Sequence, residues 1–205
     1  SISLFDALAN SPFHIPAVTH SDQLGDVLHS NTVNIVGSNF ASHHDEVEVG
    51  DLMVCLRNLN LVIVLRAQSE EVVWATTGPW RLPHDPDPLD NGNLLIFDNC
   101  FSQGTAQNSR VVEFNPKTSQ IEWQFVGSAE LPLRSDIRSC QQLLNNGNVL
   151  INESDHGRLL EVTRDGQVAW EFVHPVRGGL NDSMVPVVSS ARRYDASELP
   201  FLSEK

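Results

Sequence analysis

The stretch RLPHDPDPLDNGNLLIFDNC, Arg81 to Cys100, sets one histidine ahead of an acidic, proline-broken segment, an Asn-Gly turn and an apolar run. An imidazole titrates near neutral pH, so it can serve as a nucleophile, as an acid or base, or as a hydrogen-bonding packing residue. Position has to separate these roles. His29 in LHSNTVNIV, His84, and Ser139 in RSCQQLLN fall at equal intervals of 55 residues (29, 84, 139). Other chemistry-bearing groups carry less information. His43-His44-Asp45 has a metal-like composition without ligand spacing, so a solvated loop is expected there. Asp85, Asp87 and Asp90 lack the glycine and distal glutamate of a calcium hand and read as a turn. Cys55, Cys100 and Cys140 are odd in number and far apart, which fits small buried residues better than nucleophiles or a disulfide framework.

The elements that must position the histidines come from a repeat. Asn91-Gly92-Asn93 precedes LLIFDN and Asn146-Gly147-Asn148 precedes VLINES, again 55 residues apart (92, 147). A second strand follows each (SRVVEFNP, GRLLEVTR), then a turn, then a strand bearing Trp123 or Trp170. An earlier copy runs through DLMVCLRN and LVIVLRAQ to EVVWAT and Trp74. Short antiparallel strands with Gly or Asn turns, four to a unit, predict an all-β fold of three propeller blades over residues 28–175. An N-terminal extension (1–27), with a short helix within Ile2 to Ala9, and a C-terminal tail (176–205) flank them. The tail is expected outside the last blade or against whatever completes the ring. First strands of propeller blades line the central axis, so His29 and His84 point toward one channel from neighbouring blades. Three blades do not close a ring, since propellers use about four to eight. A longer precursor, a homo-oligomer or a second chain is therefore expected to complete it. Recurrent Trp74, Trp123 and Trp170 read as blade packing.

Composition bounds the partners. Hydrophobic residues make up 40% of the chain, enough for a sizeable core, and 26 acids against 13 Lys plus Arg leave a net charge of −13. That balance argues against a nucleic-acid or anionic-membrane surface. No apolar run reaches the ~20 residues of a membrane helix. The opening SISLFDALANSPFH lacks the basic, then apolar, pattern of a signal peptide, and a start at Ser1 is expected of a processed chain or of a piece of a longer product.

Taken together, LHSNTVNIV, GDLMVCLRNLNLVIVL, GPWRLPHDPDPLDNGNLLIFDN, SRVVEFNPKTSQIEWQF and NGNVLINESDHGRLLEVTRDGQVAWEF resemble the C-terminal half of the arylsulfotransferase family. These are six-bladed propellers that move a sulfuryl group between phenols, and the likeness runs from about Leu28 to Pro175. It implies that His84 is the nucleophile carrying the sulfuryl group, that His29 is a second site histidine, and that Arg57, within CLRNLN, is the site arginine. It further implies an aryl sulfate and a phenol as small-molecule partners, no organic cofactor, no metal, and a periplasmic or secreted location. The residue types suit such a task. A neutral imidazole can take the sulfuryl group and split one transfer into two, an arginine can hold sulfuryl oxygens, and a second histidine can protonate or stabilise a departing phenolate. Asp85 is a weaker candidate for orienting His84, because successive strand residues face opposite ways. The sequence also departs from the family. The earlier blades, with a further site histidine, are absent; Ser139-Cys140 replaces a histidine in the third blade; and the only lysines, Lys117 and Lys205, match no family lysine. The alternative is a non-catalytic propeller binding a small ligand or a protein partner.

Overall fold

The computed structural model describes residues 1–14, 25–103, 106–199 and 201. Positions 15–24 of the N-terminal extension, and Lys205, lie outside the described residues. Three four-stranded antiparallel sheets follow one another along the chain. Blade 1 holds β1 (Ser30–Ile35), β2 (Leu52–Leu56), β3 (Leu61–Arg66) and β4 (Glu71–Thr77). Blade 2 holds β5 (Pro83–Pro88), β6 (Leu94–Gln103), β7 (Ala106–Asn115) and β8 (Gln120–Phe125). Blade 3 holds β9 (Cys140–Leu143), β10 (Val149–Glu153), β11 (Arg158–Val162) and β12 (Val168–Val173). Strand order within each sheet is the chain order, and β1, β5 and β9 approach one another as the inner strands. The arc does not close.

Side-chain alternation decides what each sheet face covers. Leu94 and Ile96 of β6, with Val112 and Phe114 of β7, face blade 1 and pack on Met53, Val62 and Val64. Their neighbours Leu95, Phe97 and Val111 face blade 3 and pack on Val149, Ile151, Leu160 and Val162. Burial on both faces explains why middle strands such as β2 and β3 read as unbroken apolar runs. Helix α1 (Leu4–Ala9), capped by Ser3 Oγ accepting from Asp6 N at 3.3 Å, closes the outer face of blade 1 by setting Leu8 among Val54, Leu56 and Ile63. Among the described residues no such cover lies over β12, which is exposed along its whole length, Trp170 at 43%.

Polar ties repeat with the blades. Asn91 and Asn93 Nδ2 donate to Glu113 Oε1 at 3.0 and 2.7 Å, and Asn146 and Asn148 do the same to Glu161 at 3.0 and 2.7 Å. The free oxygen of Glu113 pairs with Arg164 from blade 3, whose carbonyl accepts from Trp123 Nε1 at 2.8 Å. The Asn-Gly-Asn turn is thus a lock between blades. In blade 3 the matching arginine, Arg193, comes from the tail; it pairs with Glu161 and lies over Trp170. The tail runs along inner strand β9, not on the outside: Gln142 and Arg193 exchange hydrogen bonds at 3.0 and 2.9 Å, and Asn152 Nδ2 donates to Val188 O at 2.9 Å. Amide side chains on β9 and β10 find backbone partners there, which corrects the placement outside the last blade.

His43-His44 is also corrected. Helix α2 (Ser38–Ala41) turns His44 inward, where it stacks on Phe40 at 4.4 Å and meets Gly92 O through Nε2 at 2.9 Å. His44 is packing between blades 1 and 2, with burial holding its imidazole pKa below the ordinary value, while His43 and Asp45 stay exposed as expected.

Candidate functional site

His84 stands at the start of β5, and the chain around it is irregular for local reasons. Leu82 (φ 53°) and Asp85 (φ 51°) bracket it with left-handed backbone, and pairing with β6 slips between His84 and Asp87. Non-glycine residues hold such conformations only where surrounding contacts impose them. Here Asn60 Oδ1 accepts from Leu82 N at 2.7 Å, Asn60 O accepts from Trp80 Nε1 at 3.0 Å, and Thr32 Oγ1 accepts from Asp85 N at 3.2 Å. Asn31 Nδ2 adds a bond to Pro83 O at 2.9 Å. Blade 1 therefore shapes the backbone that carries His84.

The His84 ring is buried, 7% exposed, and its Nδ1 lies 2.7 Å from Asn99 Oδ1 and 3.2 Å from Leu82 O. Both neighbours are acceptors, so Nδ1 carries the proton and Nε2 keeps its lone pair. Burial pushes the pKa down to about 4, against the upward pull of those two hydrogen bonds, and the positive charges of Arg57 and His29 push the same way. Of the three residues expected from sequence, Arg57 and His29 thus reach His84 through their charge. Asp85 does not orient the ring; its carboxylate accepts from Gln141 N at 3.4 Å. Asn99 takes that place, and sequence reasoning missed it. A signal was present: Asn99 and Ser154 are separated by the same interval as His84 and Ser139.

Arg57 opens a 3-10 turn, Arg57–Leu59, directly after β2, and its backbone N–H donates to His29 O at 3.2 Å. Its guanidinium is half-buried and donates Nη1–H to Asn58 Oδ1 at 3.0 Å, which leaves other N–H groups of the fork for an anion. His29 is 43% exposed, with φ 46° and its Nδ1 against the Asp26 carboxylate, just ahead of β1. In the third blade Ser139 N donates to Ser154 Oγ at 2.9 Å, and no histidine answers His84.

A cavity of about 1000 Å³ extends along the inner strands, lined by Asn34, Asp85, Asp87, Gln141 and tail residues including Arg192. His84, His29 and Arg57 are not among the residues that line it, nor do they line a smaller cavity of about 450 Å³ between α1 and β4. Burial pushes the Asp85 and Asp87 carboxyls up, Asp87 further because Asp85 faces it. Lys117 is far along the chain at the β7–β8 turn and acts electrostatically on His44. Among the described residues no group of three or more His, Cys, Asp or Glu is placed to hold a metal ion. Cys55 is buried and its thiol is pushed up by burial, away from any nucleophilic role.

Fold and site together define an open arc of propeller blades with a buried, neutral histidine on an inner strand, flanked by an arginine and a second histidine. The family model Arylsulfotransferase (ASST) matches residues 2–175, and the chain belongs to that family. No curated protein matches it. Solved structures similar to it include the WD40 β-propeller domain of Doa1 (12% identity, TM-score 0.48), where the match covers 71% of this chain and 41% of that one. Another is a catalytically inactive virginiamycin B lyase from Staphylococcus aureus with quinupristin (15% identity, TM-score 0.47), covering 72% of this chain and 42% of that one. The chain thus spans about two-fifths of the solved chains it matches.

Proposed function

We propose that this chain carries the transfer centre of an aryl sulfate:phenol sulfotransferase working through a sulfo-histidine. The observation that supports this reading most is the state of His84: buried, neutral across the physiological range, and with Nε2 unengaged. In the first half-reaction the Nε2 lone pair forms a bond to sulfur while the S–O(aryl) bond breaks, and its electron pair leaves on the phenolate oxygen. Arg57 N–H groups hold the sulfuryl oxygens as charge spreads over them. His29, open to solvent on the neighbouring blade, protonates or steadies the departing phenolate. An acceptor phenol then attacks the sulfur and passes its proton to His29, while the N–S bond breaks and returns its electron pair to Nε2. Covalent storage divides one difficult displacement into two.

The same reading assigns the uncovered face of blade 3 to the blades that complete the ring. Trp123 and Phe125 of β8 are covered by blade 3, whereas the corresponding Trp170 and Phe172 of β12 face solvent. Further blades of a longer product, a second copy of the chain or another chain supply that cover.

Replacing His84 with Ala in the natural assembly tests the function. Turnover of an aryl sulfate should fall by roughly 10⁴-fold or more, as when a covalent nucleophile is removed, with the circular dichroism spectrum unchanged. Full turnover in a folded His84→Ala variant would leave a binding propeller as the better reading.

A further inference from the structure

We propose that Asn99 is the positioning residue of His84: it keeps the ring proton on Nδ1 and so presents the Nε2 lone pair to the sulfuryl group. The inference deepens the sulfotransferase reading and rests on it for its catalytic meaning. Asn99 lies on β6 and is 1% exposed, with Oδ1 2.7 Å from His84 Nδ1. Its amide has one sensible orientation. Nδ2 donates to Ser135 O at 2.8 Å and to Arg138 O at 3.0 Å, both on the linker between β8 and β9. Turning the amide over would set its oxygen against two carbonyls and its N–H groups against the proton on Nδ1, losing three hydrogen bonds.

The linker is itself fixed. Ser109 Oγ reaches Asn99 O at 3.1 Å and Ser135 O at 3.0 Å, and accepts from Ser135 N at 2.9 Å. The position of one proton on blade 2 is therefore set by the chain that leads into blade 3. Blade 3 supplies an internal comparison. Ser139 and Ser154 occupy the places of His84 and Asn99, and they tie the strands to each other through Ser139 N to Ser154 Oγ at 2.9 Å and Ser154 N to Ser139 Oγ at 3.1 Å. The tie is common to both blades, and only blade 2 builds it from a titratable ring.

Choice of an amide over a carboxylate has a physical reason. Either group accepts the Nδ1 proton, but a carboxylate would also stabilise the imidazolium and return His84 to its charged, non-nucleophilic form near neutral pH. Asn99 fixes the tautomer without that cost.

The test uses the chain with ¹⁵N-labelled histidine, the His84 signals being identified by their loss in His84→Gln. In the unaltered protein the proton should sit on Nδ1, with the ring staying neutral down to about pH 4. Asn99→Asp should move the His84 titration upward by at least about one pH unit, by the effect of an adjacent carboxylate. Asn99→Ala should give mixed tautomers and lower kcat roughly 10- to 100-fold, the usual loss for an orienting partner, with KM for the aryl sulfate within about threefold. A proton on Nε2 in the unaltered protein would overturn the proposal without any variant, as would an unchanged tautomer and titration in both variants. A proton on Nδ1 in a protein that never forms a sulfuryl adduct would support the positioning role and sink the nucleophile reading instead.

Discussion

Removing water from around an imidazole penalises its charged form, and at His84 this outweighs two hydrogen bonds that favour the cation. The same displacement makes His84 a term in stability. Its folded pKa, about 4, lies below the ordinary 6.5, so between those values the unfolded chain binds more protons. The contribution is complete above about pH 6.5 and is lost as pH falls to about 4, on the order of 3 kcal/mol in all. Denaturant unfolding should show the chain losing stability over that window and His84→Gln losing less; parallel pH profiles would contradict the burial account. Asp87 acts with the opposite sign. Its pKa is raised, so its contribution is present at low pH and lost as pH climbs past the ordinary carboxylate range, and Asp87→Asn should gain stability on the unaltered chain at pH 9. No gain there would show that Asp87 ionises in comfort. At this scale His84 and His29 stood out in the sequence because their 55-residue interval matched that of the turns, while the roles given to them and to Arg57 came from family resemblance. Asn99 shares the 55-residue interval, with Ser154, but its role was not legible because it depends on where a linker 36 to 39 residues onward crosses the sheet.

Strands were readable wherever a turn announced them. Asn-Gly-Asn is followed by strand in both places because the glycine takes positive φ, 81° at Gly92 and 84° at Gly147, while the asparagines lock onto a glutamate. The two turns differ in one respect that sequence could not show. A Cβ on Gly92 would sit 2.6 Å from His43 Cβ, whereas one on Gly147 would meet nothing within 4 Å. Both alanine variants should lose about 1–2 kcal/mol for left-handed backbone, and Gly92→Ala about 1–3 kcal/mol more for the clash, measured by denaturant unfolding. Equal losses would mean that the His43-His44 segment does not rest on the turn. That segment was misread as solvated loop because it belongs to no repeat, and histidine beside acid looks hydrophilic until Phe40 and Trp74 close around it. Glu113 gives a second check on the turn lock. Removing it by Glu113→Ala leaves Arg164, Asn91 and Asn93 without their acceptor, and should cost about 3 kcal/mol in the same assay.

Across the molecule, three blades were legible from the repeat, and β12 of the last is exposed along its length. The path of the tail was not, since its ties to β9 run from amide side chains to backbone and leave no periodic mark. On the present account transfer belongs to the completed ring, so turnover should sediment with the larger assembly and be missing from the isolated chain; activity in the isolated chain would mean that three blades suffice. The most direct test is peptide mass spectrometry after brief exposure of the natural assembly to an aryl sulfate, quenched so that N–S bonds survive. A sulfuryl group on the peptide bearing His84, discharged when a phenol is added, is the predicted result. Release of phenol with His84 never modified would contradict the sulfo-histidine route at its first step.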